Sequence, residues 1–256
     1  MGRITLLGIQ VDPLTISELN DCIAEAVARD VRWIIAHHNL HSIYLFHRDA
    51  KMKAFYAKAH VMHIDGMPIV FLGRLLGYDL YREQRVTYVD WVRPLMSAAR
   101  EHRWRVYYLG GKPGVAERAA HVLRNEFPGL EIKTHHGYFD MEGDENEAVL
   151  DDIQAYQPHV LMVGMGMPRQ EHWVVQNLER IKAHAILTSG ACFDYVAGAV
   201  PTPPRWMGYV GLEWLFRLMS EPRRLAYRYL IEPWYVFGLF VREWLGMQWQ
   251  RGDGRR

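Results

Sequence analysis

The sequence has no apolar run approaching the ~20 residues that a membrane-crossing helix needs, and its longest late candidate, Trp234 to Val241, is far too short. The chain is therefore expected to be soluble or to lie on a membrane without crossing it. Cysteine is scarce: Cys22 and Cys192 show no spacing of a metal site or disulfide framework, so a reducing cytosol is the expected setting. The amino terminus lacks the basic, apolar, small-residue order of a signal peptide. Neither a Gly-x-Gly-x-x-Gly fingerprint nor a Walker A loop occurs where it would be needed. An excess of one charge is also missing, since the net charge of +1 argues against a protein that wraps nucleic acid. That balance hides an asymmetry. From Arg205 onward there are nine Arg against five acidic residues, net +4, leaving −3 for residues 1–204, and the same end holds five of the nine Trp.

What is present reads as alternating strands and helices. Residues 3–11 read as a first strand, and Thr15 with Glu18 forms a capping box opening a helix to about Asp30. Short apolar runs follow at Trp33 to Ala36, Val61 to Ile64, Arg105 to Leu109, Leu130 to Thr134, His159 to Val163 and His184 to Thr188, separated by helical stretches. With half of 256 residues hydrophobic, this predicts an α/β fold: a doubly wound, mostly parallel, Rossmann-like sheet. Pro201, Pro203 and Pro204 mark the join between a domain over 1–200 and an Arg- and Trp-rich helical appendage over 201–256. Arg217, Arg223, Arg224 and Arg228 lie there among Trp, Tyr and aliphatic residues. Such a mixture fits a helix in a bilayer interface, a helix docked on the main domain, or a subunit interface in a homo-oligomer.

In open α/β sheets ligands bind at the carboxyl ends of the strands, so polar residues there are the candidates. Gly164 and Gly166 let the chain turn, Pro168 suits a first helical position, and Arg169, Gln170 and Glu171 are delivered to the strand end, a set suited to sugar hydroxyls and phosphate oxygens. Gly110 and Gly111 follow another strand as a plausible phosphate cradle. Asp65, before Gly66 and Pro68, is placed either as a general base or as a helix cap. Arg85, near a helix opened by Thr87, is an anion contact or an ordinary surface Arg. His37, His38 and His41 invite a metal reading because His37 and His41 could share one helical face. No third ligand is evident nearby, and Asn39, able to donate and accept, is the better ligand contact. The acidic run Asp140, Glu142, Asp144 is a solvated loop, its glycine being misplaced for calcium.

Taken in order and spacing, these pieces resemble the WecG/TagA/CpsF family of bacterial glycosyltransferases. The match runs from about Ile4 to Tyr229 through Asn39, Asp65-Gly66, Arg85-Val86-Thr87, the glycines at 110–114, Gly137-Tyr138-Phe139, GMGMPRQEHW at 164–173, SGACFDYVAG at 189–198 and GLEWLFRLMSEPRRLAYRYL at 211–230. The resemblance implies an inverting transfer of a sugar from a UDP-sugar to a polyprenyl-diphosphate-linked saccharide at the cytosolic face of the membrane, in making a wall or surface polymer. It implies Asp65 as base, Asn39, Arg85 and Gln170 along the sugar and diphosphate, and Asp194 near the uracil, with Tyr138 among the substrate contacts. No Asp-x-Asp occurs in the chain, so no metal or other cofactor is expected. Arg85, helix amino ends and an Arg of the tail are left to hold the departing UDP. Departures from the pattern fall near the expected sugar pocket: the family's usual Thr-Pro-Asn-Pro is His37-His38-Asn39-Leu40 here, a typical Gly after the Arg-Val-Thr is Tyr88, and a usual late Arg is Thr202. An N-acetylmannosamine, glucosyl or uronic-acid donor is equally open. Two rival readings are a nicotinamide-dependent oxidoreductase, on the fold and the glycine turn, and a non-catalytic membrane-bound scaffold, on the tail.

Overall fold

The computed structural model describes residues 2–253, with the side chains of Arg205, Tyr209 and 250–253 outside the description. The strand expected over 3–11 is instead a hairpin, β1 (Ile4–Leu6) and β2 (Ile9–Val11), forming its own antiparallel sheet. Leu7 and Gly8 take φ of 51° and 73°, the pair of left-handed residues that a two-residue hairpin turn requires. The capping box forms as read: Glu18 N–H donates to Thr15, and the Glu18 carboxylate accepts from Thr15 N–H at 2.8 Å, opening α1 (Ile16–Ala28).

The main chain then alternates: β3 (Trp33–His38), α2 (Leu40–Arg48), α3 (Ala50–Lys58), β4 (Val61–Ile64), α4 (Met67–Leu75), α5 (Tyr88–Glu101), β5 (Val106–Gly110), α6 (Val115–Glu126), β6 (Ile132–His135), α7 (Asp144–Tyr156), β7 (Val160–Gly164), α8 (Arg169–Asn177), β8 (Ala185–Thr188) and α9 (Cys192–Val196). The six later strands form one parallel sheet in the order β4-β3-β8-β7-β5-β6. The last strand in sequence is thus inserted at the centre, and the connections wind to both faces. Successive strand residues point to opposite faces, so Tyr108, Met162 and Leu187 join Trp91, Leu95 and Leu123 of α5 and α6 in one core. Tyr107, Val163 and Ile186 join Phe55 of α3 and Trp173 of α8 in the other. All of β5 and β7 is buried, which is why these strands read as apolar runs without alternation.

Two expectations about local geometry are corrected. β3 continues through His37 and His38, so His37 sits on a strand and His41 on α2, and they share no helical face. Pro168 occupies the cap position, and the helix begins one residue later at Arg169.

The tail folds as α10 (Arg205–Val210), α11 (Glu213–Ser220), α12 (Pro222–Leu230) and α13 (Glu232–Asp253). It docks on the hairpin, α2 and α4. Val236 is buried with Leu6, Ile43 and Ile69, each such side chain contributing about 1.5–3 kcal/mol. Glu232 accepts from His41 Nδ1 at 2.6 Å, and Glu243 accepts from Leu7 N–H at 2.6 Å. The opposite surface stays open, with Trp206, Trp234, Phe237 and Trp249 all more than half exposed. No described helix is long and apolar enough to cross a membrane.

Candidate active site

β3 and β4 run in register, His37 beside His63 and His38 beside Ile64, so the residues after them, Asn39 and Asp65, leave the sheet together. Asn39 caps α2, its Oδ1 accepting from Ser42 N–H at 3.0 Å, and its Nδ2 donates to Asp65 Oδ2 at 3.1 Å. One amide thus fixes both a helix start and a carboxylate. Asp65 does not cap α4, whose cap is Gly66 without a side-chain hydrogen bond. The cap reading of Asp65 therefore does not hold.

Behind Asp65 lies a layer of buried imidazoles. His37 Nε2 is 3.7 Å from Asp65 Oδ2; burial lowers its pKa, more than Asp65 raises it. Burial also pushes His63 down to about 3, with His37 adding to the effect. Burial thus favours the uncharged form of both rings behind Asp65. Among the described residues no group of three or more His, Cys, Asp or Glu could hold a metal ion.

Two cavities meet at Asp65. The larger, about 340 Å³, is walled by Leu40, Met67, Pro68, Ile69, Trp214 and Pro233 around Arg85. The smaller, about 190 Å³, is walled by His37, Thr87, Tyr88, Gln170, Ser189 and Gly190. Asn39, Asp65, Glu213, Arg217 and Arg228 line both. Arg217 and Arg228 make no ion pair among the described residues. Burial opposes the charge of Arg217, but Tyr229, Tyr195 and Asp65 outweigh it and raise its pKa; burial lowers that of Arg228. Nε of Arg228 is buried without a partner. Two cations thus face the junction with spare hydrogen-bonding capacity.

The other sequence candidates fall into distinct places. Arg85 reaches the larger cavity, but its guanidinium is held by Asp90 at 3.1 Å and Glu213 at 2.7 Å. Thr87 donates from Oγ1 to the same Asp90 at 2.8 Å. Gln170 is buried; its Oε1 accepts from Gly166 N–H at 3.2 Å and Gly190 N–H at 3.1 Å, and its Nε2 donates to Glu171 at 2.7 Å. It clips together the loops after β7 and β8. Glu171 is wholly buried, which pushes its carboxyl up to about 7 against the pull of the Gln170 hydrogen bond. Gly110, Gly111 and Gly164 lie outside both cavities. A Cβ on Gly110 would sit 2.4 Å from Gly164 O, and one on Gly164 2.2 Å from Tyr108 Oη. Those glycines let adjacent strand ends touch. Gly111 N–H donates to Gly164 O at 3.3 Å, so this amide is not free for a phosphate. Tyr138 is exposed, and Asp194, its pKa raised chiefly by burial, lies in the first turn of α9; neither lines the two cavities. Arg224 lines the smaller cavity while paired with Glu221, and Arg223 is exposed outside both. Sequence reasoning passed over Glu213 and Gly208, whose signal was only a lone acid four residues before Arg217 and a glycine inside a short helix.

With this geometry in place, comparison with known proteins gives a consistent result. Residues 4–250 match the profile described as "Glycosyl transferase WecG/TagA/CpsF family". Two similar curated proteins, from Staphylococcus aureus (strain MRSA252) and Staphylococcus aureus (strain COL), are both named N-acetylglucosaminyldiphosphoundecaprenol N-acetyl-beta-D-mannosaminyltransferase. Each is 21% identical over 236 residues, 88% of this chain and 87% of the relative.

Proposed function

This chain belongs to the WecG/TagA/CpsF glycosyl transferase family, and on that premise we propose that it moves a sugar from a UDP-sugar to a polyprenyl-diphosphate-linked saccharide with inversion and without a metal. The observation that carries the reading is the meeting of two cavities at Asp65 under Arg217 and Arg228. A single displacement needs three things at one point: a base on the acceptor side, a donor carbon, and positive charge where the leaving group departs. The larger, more apolar cavity suits the acceptor, and the smaller, polar one suits the sugar and diphosphate of the donor. In the step, an acceptor hydroxyl forms the new bond to the anomeric carbon as the bond to phosphate breaks. UDP leaves with the electron pair toward Arg217 and Arg228, and the proton goes to Asp65, oriented by Asn39. The relatives' names supply the acceptor class, a saccharide on an undecaprenyl diphosphate; the donor sugar is taken as any of N-acetylmannosamine, glucose or a uronic acid.

The exposed aromatics of the tail, Trp206, Trp234, Phe237 and Trp249, together with the exposed Arg223, support binding at the inner membrane surface, where a lipid-linked acceptor resides. A nicotinamide enzyme is disfavoured because the amide of Gly111 is bonded within the protein. Titration with UDP and with NAD, followed by candidate UDP-sugars against a lipid-linked acceptor, tests the reading. UDP binding and transfer unaffected by EDTA are expected. NAD binding, or transfer abolished by EDTA and restored by a divalent ion, would overturn it.

A further inference from the structure

α11 is tied to the sheet edge by an ion pair whose Arg is buried and whose Glu is partly exposed. Glu213 Oε1 lies 2.7 Å from Arg85 Nη2, and the Arg85 side chain is only 6% exposed. Arg85 is in turn fixed to the core: it bridges to Ile64, the residue before Asp65, and Val86 N–H donates to Ile64 O at 2.8 Å. A separate observation is the roof over this pair. At Gly208 of α10 a Cβ would lie 2.5 Å from Glu213 Oε1 and 2.9 Å from Arg85 Nη2, so a side chain there would push the two ion-paired groups from their present positions. Three pieces, strand edge, α10 and α11, therefore converge on one contact. Glu213 also lies four residues before Arg217, which puts both on one helix face, and both line the two cavities with Asp65.

Resting on the transferase reading above, we propose that Glu213 is a positioning residue. Its pair with Arg85 beneath Gly208 sets the register of α11, and that register holds Arg217 opposite the departing diphosphate. Arg85 then acts through the tail and does not touch the substrate. With the Arg85 side chain buried, losing Glu213 leaves its charge to Asp90 alone, so a mismatched arrangement of α11 is disfavoured.

A double-mutant cycle in the full chain tests this with Arg85→Gln, Glu213→Gln and the two combined. Two readouts are taken: backbone hydrogen exchange over 205–230, and transfer from a UDP-sugar. Each single change should speed exchange in α11, lower kcat and weaken UDP more than uridine, to a similar extent in both variants, leaving exchange in β5 and β7 unchanged. The double variant should be no worse than the worse single one, a coupling of at least about tenfold, within the range for contacting residues. Gly208→Ala should reproduce the Glu213→Gln behaviour. Independent effects that multiply, a loss of UDP affinity in Arg85→Gln that Glu213→Gln does not share, or wild-type exchange in both Glu213→Gln and Gly208→Ala would each overturn the proposal. Exchange is read without substrate. A wild-type chain with coupled exchange but no sugar transfer would therefore fail the transferase reading while supporting the docking role of the pair.

Discussion

Where β5, β7 and β8 end, the glycine amides are used up within the protein: Gly111 N–H is bonded to Gly164 O, and Gly166 and Gly190 N–H both to Gln170. Across the cleft, where β3 and β4 end under the tail, Arg217 and Arg228 carry charge with no ion-pair partner among the described residues. The first region has the more conspicuous sequence, rich in glycine and suggestive of phosphate. It is the second that has charge to spend on a ligand. A glycine-rich turn at a strand end is therefore ambiguous until its amides are accounted for, because close strand packing and anion binding ask for the same residue.

The contrast is sharpest at Asp65. Asp65→Asn keeps the shape and the Asn39 contact but removes the proton acceptor, so transfer should fall ~10²–10⁴-fold with UDP binding nearly unchanged by calorimetry. Activity near wild type would move the base elsewhere. Next in size, Arg228→Ala should slow transfer by about 10²-fold, the low end for removing a group that meets developing negative charge. It should weaken UDP more than uridine, whereas the exposed Arg223→Ala should spare the rate with a water-soluble acceptor. Equal losses for UDP and uridine would place Arg228 away from the diphosphate.

On the glycine side the expected effects are structural. Gly164→Ala drives a methyl into Tyr108 Oη and should cost about 1–3 kcal/mol by urea unfolding, as overpacking does. A variant as stable as wild type would show that the strand ends can part, weakening the packing account. The other structural effect is that of Glu171. Its folded pKa, about 7, lies above the ordinary carboxylate value, so the folded state holds the proton longer and stability falls as pH rises from about 4.5 to 7. Glu171→Gln should flatten that decline in a series of melting curves. An unchanged slope would mean the carboxyl is not the group responsible.

Much of this was legible in residues close together in sequence. Thr15 and Glu18 are three apart and make the capping box; Val61 to Ile64 is a strand with the bounds expected of it. The hairpin was hidden because its turn places positive φ on Leu7, a residue type that gives no turn signal. Asn39 and Asp65 were found as candidates, but their hydrogen bond depends on the parallel register of β3 and β4. The pair of Arg85 and Glu213 joins residues 128 apart, and no local pattern announces it. Gln170 lines the smaller cavity, where a ligand contact is expected, but its clip between the loops after β7 and β8 reaches a residue 20 positions away, which a local reading misses.

A structure of the protein with UDP bound decides most directly between the two regions. The account predicts the diphosphate in the smaller cavity beside Asp65, with its oxygens on Arg217 and Arg228. A diphosphate lying on the amides of 110–114, away from the tail, would contradict it.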